Sequence, residues 1–255
     1  MVISFTGKTA VVTGGTSGIG KAAALQLVAA GARVAVIGRD ATKLTGELAE
    51  FPDRLFFFRC ELADHASIKN TFAKIGNLFG TIDVLVNNAG VQTYGNVVTT
   101  GENIWDFTMD INLKAVYLCA KYAISLMEKA PYAVIVNVGS VQGFVSQRNV
   151  AAYAASKEAL HGLTRSIAID FAPKIRCLAV CPGAVQTPML EKDIENFVDK
   201  EAILEETRNI HLLKRIATPD EIANFITFLA SDKASFATGQ TYRVDGGIGV
   251  RIEGT

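Results

Sequence analysis

The first thirty residues limit the possible folds more than any other stretch. Residues 8–13, K-T-A-V-V-T, form a short β-branched run without polar alternation, the pattern of a strand buried on both faces of a parallel sheet. The run leads straight into Gly14, Gly15, Thr16, Ser17, Gly18, Ile19 and Gly20. A helical stretch follows, K-A-A-A-L-Q-L-V-A-A, closed by Gly31. Strand, glycine turn and helix start together make a cradle for a pyrophosphate. Glycines let the backbone approach the phosphates, and the free N–H groups and helix dipole favour the anion. The spacing is G-x-x-x-G-x-G (Gly14, Gly18, Gly20) rather than G-x-G-x-x-G. As a bare string it is weak; in its strand–turn–helix setting it is strong.

Alternation continues to the end of the chain. Strands are expected at 8–13, 33–37, 55–59, 83–86, 133–138, 175–180 and 240–244, and helices near 18–30, 41–50, 65–79, 103–129, 152–172 and 219–230. This is the order of an α/β Rossmann fold, a doubly wound parallel sheet with helices on both faces. Thr218, Pro219 and Glu221 supply a cap, a first-turn proline and a third-position acid for the last helix. No linker, repeat or low-complexity run divides the 255 residues, so one domain is expected over 1–255. Within it, 1–130 would be mainly dinucleotide-binding and 131–255 would carry the catalytic and substrate elements. Twenty-five basic and 25 acidic residues give zero net charge, which speaks against nucleic-acid and membrane-surface partners. No secretory signal or membrane span is read, so the expected location is cytoplasmic. Cys60, Cys119, Cys177 and Cys181 lie in apolar segments without paired C-x-x-C spacing. They read as core thiols, and no metal site is expected.

The second strand ends in Gly38-Arg39-Asp40. In a dinucleotide fold this tip meets the adenosine ribose. An acid there would bind the 2′-hydroxyl and repel a 2′-phosphate. Gly38 removes that acid, and Arg39 offers a planar cation suited to phosphate, so NADP is expected in preference to NAD. The alternative is that Arg39 merely stacks on adenine while Asp40 caps the next helix.

Three residues in the second half of the chain, with Asn112 upstream, point to chemistry. Ser140 ends the strand-like V-I-V-N-V-G-S, and Tyr153 and Lys157 lie four apart in the helical A-A-Y-A-A-S-K-E-A-L, hence on one face. A phenol of pKa about 10 needs a shift of about three units, roughly 4 kcal/mol, to ionise near neutrality. A neighbouring ammonium favours the phenolate, and a serine hydroxyl beside it can hold a carbonyl or alcohol oxygen. A lone Y-x-x-x-K pair is more often a solvated helix face; here it stands with Asn112 and the glycine turn.

Together these motifs resemble the short-chain dehydrogenase/reductase family from Lys8 to Gly247. They stand as T-G-G-T-S-G-I-G (13–20), N-N-A-G (87–90), Asn112 in M-D-I-N-L, Ser140, Y-A-A-S-K (153–157), P-G-A-V-Q-T (182–187) and D-G-G (245–247). The resemblance implies a seven-stranded sheet of order 3-2-1-4-5-6-7. It makes Tyr153 the general acid/base, Lys157 the residue that lowers its pKa and binds the nicotinamide ribose, and Ser140 the substrate-oxygen ligand. Asn112 would hold a water that relays protons from Lys157. Cofactor contacts are implied for Gly14, Thr16, Ser17, Gly18, Ile19, Gly20, Gly38, Arg39, Glu61, Leu62, Asn88, Ala89 and Gly90. Pro182, Gly183, Val185 and Thr187 would contact the nicotinamide side, with Tyr153 and Lys157. Glu61 departs from the usual Asp against the adenine amine, and Gly139 from the first serine of a common pair. A homotetramer is implied, built through helices near 103–129 and 152–172 and the last strand.

Substrate residues are expected in the loops after the motifs: Gln92 and Tyr94, Gln142 beside Ser140, Asn149 before the catalytic helix, and Gln186, with Ser140 and Tyr153 at the reacting oxygen. Paired amide donors and acceptors suit a polyhydroxylated ligand, although amides are also ordinary loop surface. N-N-A-G-V-Q-T-Y-G, G-S-V-Q-G and the tail D-G-G-I-G-V-R-I-E-G-T are similar to microbial aldose 1-dehydrogenases within the family. The resemblance implies oxidation of the C1 hydroxyl of an aldohexose-type sugar to an aldonolactone. The alternatives are a reductase for 3-oxoacyl thioesters or other small carbonyls, and a non-catalytic cofactor-binding protein. Residues 187–213 read as a mobile lid whose Met189, Leu190, Ile194 and Phe197 face the pocket or cofactor. His161 and His211 read as structural or solvated. The tail 248–255 is expected to reach a neighbouring subunit's sugar pocket.

Overall fold

A seven-stranded, all-parallel sheet organises the protein, in the order β3-β2-β1-β4-β5-β6-β7. The computed structural model describes residues 3–195 and 197–250. The strands are β1 Thr9–Thr13, β2 Arg33–Gly38, β3 Leu55–Arg59, β4 Val84–Asn87, β5 Ala133–Val138, β6 Ile175–Pro182 and β7 Thr241–Val244. The helices are α1 Gly18–Ala29, α2 Thr45–Glu50, α3 His65–Phe79, α4 Glu102–Met109, α5 Ala115–Met127, α6 Ala151–Phe171, α7 Pro188–Ile194, α8 Lys200–Asn209 and α9 Pro219–Ala230.

Strand side chains alternate between two cores. Val12, Val34, Val36, Val86 and Val136 pack on the face covered by α1 and α9, among Ala23, Leu27, Ile222 and Ile226. Val11, Ala35, Ile37, Leu85 and Ile135 pack on the other face, among Ile68, Phe72, Ala120, Met127 and Ile167 of α3, α5 and α6. Burial on both faces is why these strands read as continuous apolar runs. The order reverses between β1 and β4, since β1 pairs with β2 on one side and β4 on the other. That switch point opens a crevice at the carboxyl ends of the strands, where ligands of such sheets bind.

Three local features place the site. Asn88 and Ala89 N–H groups both donate to Thr13 Oγ1, at 3.0 and 3.1 Å, locking the end of β4 to the end of β1. The single helix expected at 103–129 is interrupted: a π turn at Asp110–Lys114 separates α4 from α5 and carries the fully buried Asn112. Composition gives no sign of this extra residue in the helix. At α9, Thr218 and Glu221 form the expected capping box behind Pro219. The four cysteines are free and buried, as read. No helix among the described residues is long and apolar enough to cross a membrane.

Candidate active site

The cofactor cradle sits where β1 meets α1. Asn88 Nδ2 donates to the carbonyls of Thr13 and Gly14 at 3.0 and 3.2 Å, so a side chain from β4 props the glycine turn from behind. A Cβ on Gly20 would run into that Asn88 amide and lie 2.5 Å from Gly14 O. Gly18 has φ +52°, and a Cβ there would lie 3.0 Å from Thr187 Cγ2, which brings the P-G-A-V-Q-T segment over the start of α1. Ser17 makes no side-chain cap, so the first-turn N–H groups keep their anion-binding capacity. The space that side chains would fill is kept for backbone and ligand, and these residues fit a dinucleotide pyrophosphate.

At the tip of β2, Asp40 is committed locally. Its carboxylate accepts from Thr42 N–H at 2.9 Å and from Thr42 Oγ1 at 2.6 Å. Those two bonds, with help from Arg59 and Lys43, hold its carboxyl below the usual range. Arg39 is exposed beside it, and Arg59, the register partner of Gly38, adds a second cation at the same tip. Sequence reasoning missed Arg59 because only strand pairing brings it next to Gly38. Glu61 is exposed and folds back onto Ala63 N–H at 3.4 Å, while Leu62 is buried. Val185 is buried and pairs in an isolated bridge with Ala217.

The catalytic set converges under this cradle. Ser140 from the end of β5 and Tyr153 and Lys157 from α6 are all buried. Ser140 hydrogen-bonds the Tyr153 phenol, and its Oγ accepts from Gln142 N–H at 3.1 Å. Lys157 Nζ lies 5.7 Å from the Tyr153 ring centroid and donates to Val138 O at 3.0 Å. Burial pushes the Tyr153 hydroxyl up to about 12, and the Ser140 hydrogen bond offsets only part of this. Burial pushes Lys157 down to about 8. Dehydration is the largest influence on both groups.

Asn112 works through its side chain in a way the sequence did not disclose. Its Oδ1 accepts from Val91 N–H at 2.8 Å, and its Nδ2 donates to Val91 O at 2.9 Å and Ser156 Oγ at 3.0 Å. The π turn, the N-N-A-G loop and α6 are thereby clamped together. Asn112 Oδ1 and Lys157 Nζ still flank the same small volume beside Gly90, within 3.2 and 3.4 Å of where a Cβ on that glycine would lie. His161 and His211 are both structural and buried rather than solvated. His161 lies 3.4 Å from Cys181 Sγ under the Ser140 turn. His211 Nε2 accepts from Ala184 N–H at 3.1 Å while Nδ1 donates to Thr207 O at 2.7 Å, tying α8 to the P-G-A loop.

The substrate side is only partly as read. Gln92 Nε2 donates to the Tyr94 hydroxyl at 2.9 Å, and burial, with the Asp193 carboxylate adding to it, pushes that hydroxyl up to about 12. Gln142 Oε1 is buried without a hydrogen-bond partner among the described residues. Asn149 instead is exposed at φ 60°, and its carbonyl accepts from Gly95 N–H at 2.8 Å, so its visible role is to fix the loop. Gln186 is exposed and engages Ala217 O through its backbone. Met189 and Phe197, expected to face the pocket, stand exposed. Of the tail expectation, residues 251–255 lie outside the described residues.

The family model described as enoyl-(acyl carrier protein) reductase matches residues 14–249. An uncharacterized oxidoreductase of Thermotoga maritima is 39% identical over 250 residues, covering 96% of this chain and 98% of its own. This chain belongs to the short-chain dehydrogenase/reductase family. A 3-oxoacyl-(acyl-carrier-protein) reductase of the same organism is 37% identical over 95% of this chain and 98% of its own. The ligand-free aldohexose dehydrogenase of Thermoplasma acidophilum superposes with a TM-score of 0.90 at 35% identity, covering 97% of this chain and 96% of that one. Like other short-chain dehydrogenases/reductases, the chain is a Rossmann-fold oxidoreductase of the kind that uses NAD(P).

Proposed function

We propose that this short-chain dehydrogenase/reductase oxidises the C1 hydroxyl of an aldose to an aldonolactone, with NADP preferred over NAD. One observation carries the sugar reading. Gln142 Oε1, two residues from the substrate-oxygen ligand, is a buried acceptor without a partner among the described residues. A buried unpaired acceptor costs about 1–3 kcal/mol, and a hydroxyl-rich ligand supplies the missing donor. The likeness to an aldohexose dehydrogenase and the Gln92–Tyr94 pair support the same reading.

When bound, the nicotinamide supplies the hydride acceptor. Ser140 Oγ positions the substrate oxygen beside Tyr153, whose hydroxyl oxygen, once deprotonated, takes the C1 hydroxyl proton. Lys157 holds the ribose and favours the phenolate, while Asn112 positions the N-N-A-G loop and borders the volume through which Lys157 exchanges protons. Asn88, Ala89 and Gly90 line the cradle's far wall, and Thr187 closes it near α1. Arg39, helped by Arg59, meets the 2′-phosphate. A protonated phenol cannot act as base, so oxidation accelerates as pH rises towards the Tyr153 pKa in the working complex. The enzyme acts in the cytoplasm as a homotetramer. Four buried thiols suit a reducing compartment, and Trp105, Phe107 and Tyr117 on α4 and α5 are exposed apolar side chains that an interface would cover.

Purified protein with NADP or NAD and a panel of aldohexoses, aldopentoses and deoxysugars should reduce the nicotinamide for one sugar series, faster with NADP. Tyr153→Phe should abolish that turnover while leaving cofactor binding within about twofold; full activity in this variant refutes the assignment. The second reading, reduction of 3-oxoacyl thioesters, draws on the reductase relative and the family-model description. It predicts silence with sugars and oxidation of reduced cofactor by a ketoacyl thioester.

A further inference from the structure

The P-G-A-V-Q-T loop and the segment read as a lid are fastened together by one buried histidine. The chain leaves that loop at Thr187, runs through α7 and α8, and returns at His211, which is 2% exposed. There His211 Nε2 accepts from Ala184 N–H at 3.1 Å, and Nδ1 lies 2.7 Å from Thr207 O, one turn back. The ring is closely seated. A Cβ on Gly183 would lie 2.7 Å from Nε2, and one on Gly246 would lie 3.2 Å from Cδ2. Beyond the ring, Leu213 N–H donates to Gly246 O at 3.2 Å. Ala217 N–H donates to Ala184 O at 3.1 Å, and Gln186 N–H donates to Ala217 O at 2.9 Å. The segment is thus closed at its base onto the loop from which it departs.

These partners fix the state of the imidazole. Thr207 O can only accept, so Nδ1 carries the hydrogen. Ala184 N–H can only donate, so Nε2 carries none. His211 therefore holds the loop as a neutral ring. A proton on Nε2 would set two donors against each other and break the bond to Ala184. A cavity of about 90 Å³ lies against the ring, walled also by Asp245, Arg215 and Glu221. Asp245 accepts from Gly247 and Gly249 N–H at 3.0 Å, and Arg215 pairs with Glu221. On the α8 side, Lys214 Nζ donates to Asn209 O, and Arg208 pairs with Glu201 and Glu205. The surrounding charges are engaged with one another or with backbone, while Nε2 faces the loop amide. The cavity gives the ring room to turn away once that bond is lost.

We propose that His211 is a positioning residue for the nicotinamide cofactor. As a neutral ring it holds the backbone of Gly183 and Ala184 where the loop meets the cofactor; on protonation it releases the loop and the segment above it together. A proton and the Ala184 N–H compete for Nε2, so cofactor affinity falls as pH drops. The inference rests on the reading that residues 182–187 contact the cofactor, and it needs no particular substrate.

The test measures binding of reduced cofactor, NADPH or NADH, whichever is tighter, by nicotinamide fluorescence. The full-length proteins are wild type, His211→Gln, His211→Phe and Thr187→Ala. Glutamine brings an amide oxygen to the place of Nε2 and does not titrate; phenylalanine keeps the bulk of the ring without an acceptor. At pH 8, His211→Gln should bind within about threefold of wild type and His211→Phe about tenfold more weakly, a single hydrogen bond's worth. Between pH 8 and pH 6 the wild-type Kd should rise at least about threefold more than that of His211→Gln. Other titrating groups, on cofactor and protein, are common to the two. Glutamine and phenylalanine variants impaired alike, or wild type and His211→Gln changing equally with pH, would reduce His211 to packing and overturn the proposal. If His211→Phe does not fold, the pH comparison with His211→Gln decides alone. Thr187→Ala checks the loop separately and should bind several-fold more weakly. Binding unchanged in both Thr187→Ala and His211→Phe overturns the loop reading and the proposal with it. Weakened binding in Thr187→Ala with none in His211→Phe overturns the proposal alone. A sugar panel without turnover refutes the aldose reading and leaves these binding results standing.

Discussion

Replacing Lys157 by methionine tests how burial sets the state of the catalytic pair. Lys157 is buried, its Nζ donates to Val138 O, and its ammonium is pushed down from 10.5 to about 8 by burial. Between those values the unfolded chain holds a proton on this lysine that the folded chain has released. Stability therefore rises with pH through that window. From pH 7 to pH 10 the rise from this one group is about 2–3 kcal/mol. Other groups oppose it. Burial pushes Cys177 up to about 12, Cys181 to about 11 and Tyr153 to about 12, so each loses stability once its unfolded counterpart ionises, above roughly pH 9 to 10. Cys177 and Tyr153 contribute alike in both proteins, and Cys181, which the Lys157 charge lowers, contributes a coupled part, so the difference reports Lys157 together with that coupling. Urea unfolding of wild type and Lys157→Met, followed by far-ultraviolet circular dichroism at pH 7 and pH 10, gives that difference. The stability of the variant relative to wild type should fall by about 2–3 kcal/mol on going to pH 10. A relative stability that stays constant within about 0.5 kcal/mol would mean that Lys157 titrates in the folded protein as it does in water, and the dehydration reasoning would be wrong.

Two further outcomes are expected. Arg39→Glu should turn the NADP-over-NAD preference in kcat/KM towards NAD by at least tenfold, because a carboxylate at the tip of β2 repels a 2′-phosphate and can accept from a 2′-hydroxyl; an unchanged ratio sinks the NADP assignment. Gly20→Ala should lose about 2–4 kcal/mol in urea unfolding and weaken cofactor binding, since the new methyl group displaces the Asn88 amide from Thr13 and Gly14. A loss below about 0.5 kcal/mol would show that Asn88 does not brace the turn.

Six of the strands were legible to within one residue because a doubly covered parallel sheet demands apolar β-branched runs, and few other structures do. β6 is the instructive exception. It continues through Cys181 and Pro182, beyond the expected end at residue 180, since Pro182 still pairs with Val244 at the sheet edge. The helix expected over 103–129 hid its π turn because the apolar spacing of α4 and α5 passes smoothly across it. Only the demand that Asn112 reach Val91 and Ser156 at once reveals why the extra residue is there. Among the pocket amides, residue type alone could not separate Gln142, whose Oε1 is buried, from Asn149 and Gln186, which are exposed and bond through their backbones.

Local chemistry could be read from the chain itself. Glycines mark where backbone must approach backbone, Thr218 and Glu221 mark a helix start, and the i, i+4 spacing puts Tyr153 and Lys157 on one face. These depend on covalent geometry and nearby residues, which the sequence specifies directly. Charge and proximity across the fold were decided elsewhere. Strand pairing put Arg59 beside Gly38, and the docking of α8 put His211 against Ala184. Burial between α6 and β5 pushed Tyr153 up and Lys157 down, more strongly than any neighbouring group acts on either. Solvation and long-range electrostatics depend on what surrounds a group in three dimensions, and only the folded chain supplies those surroundings.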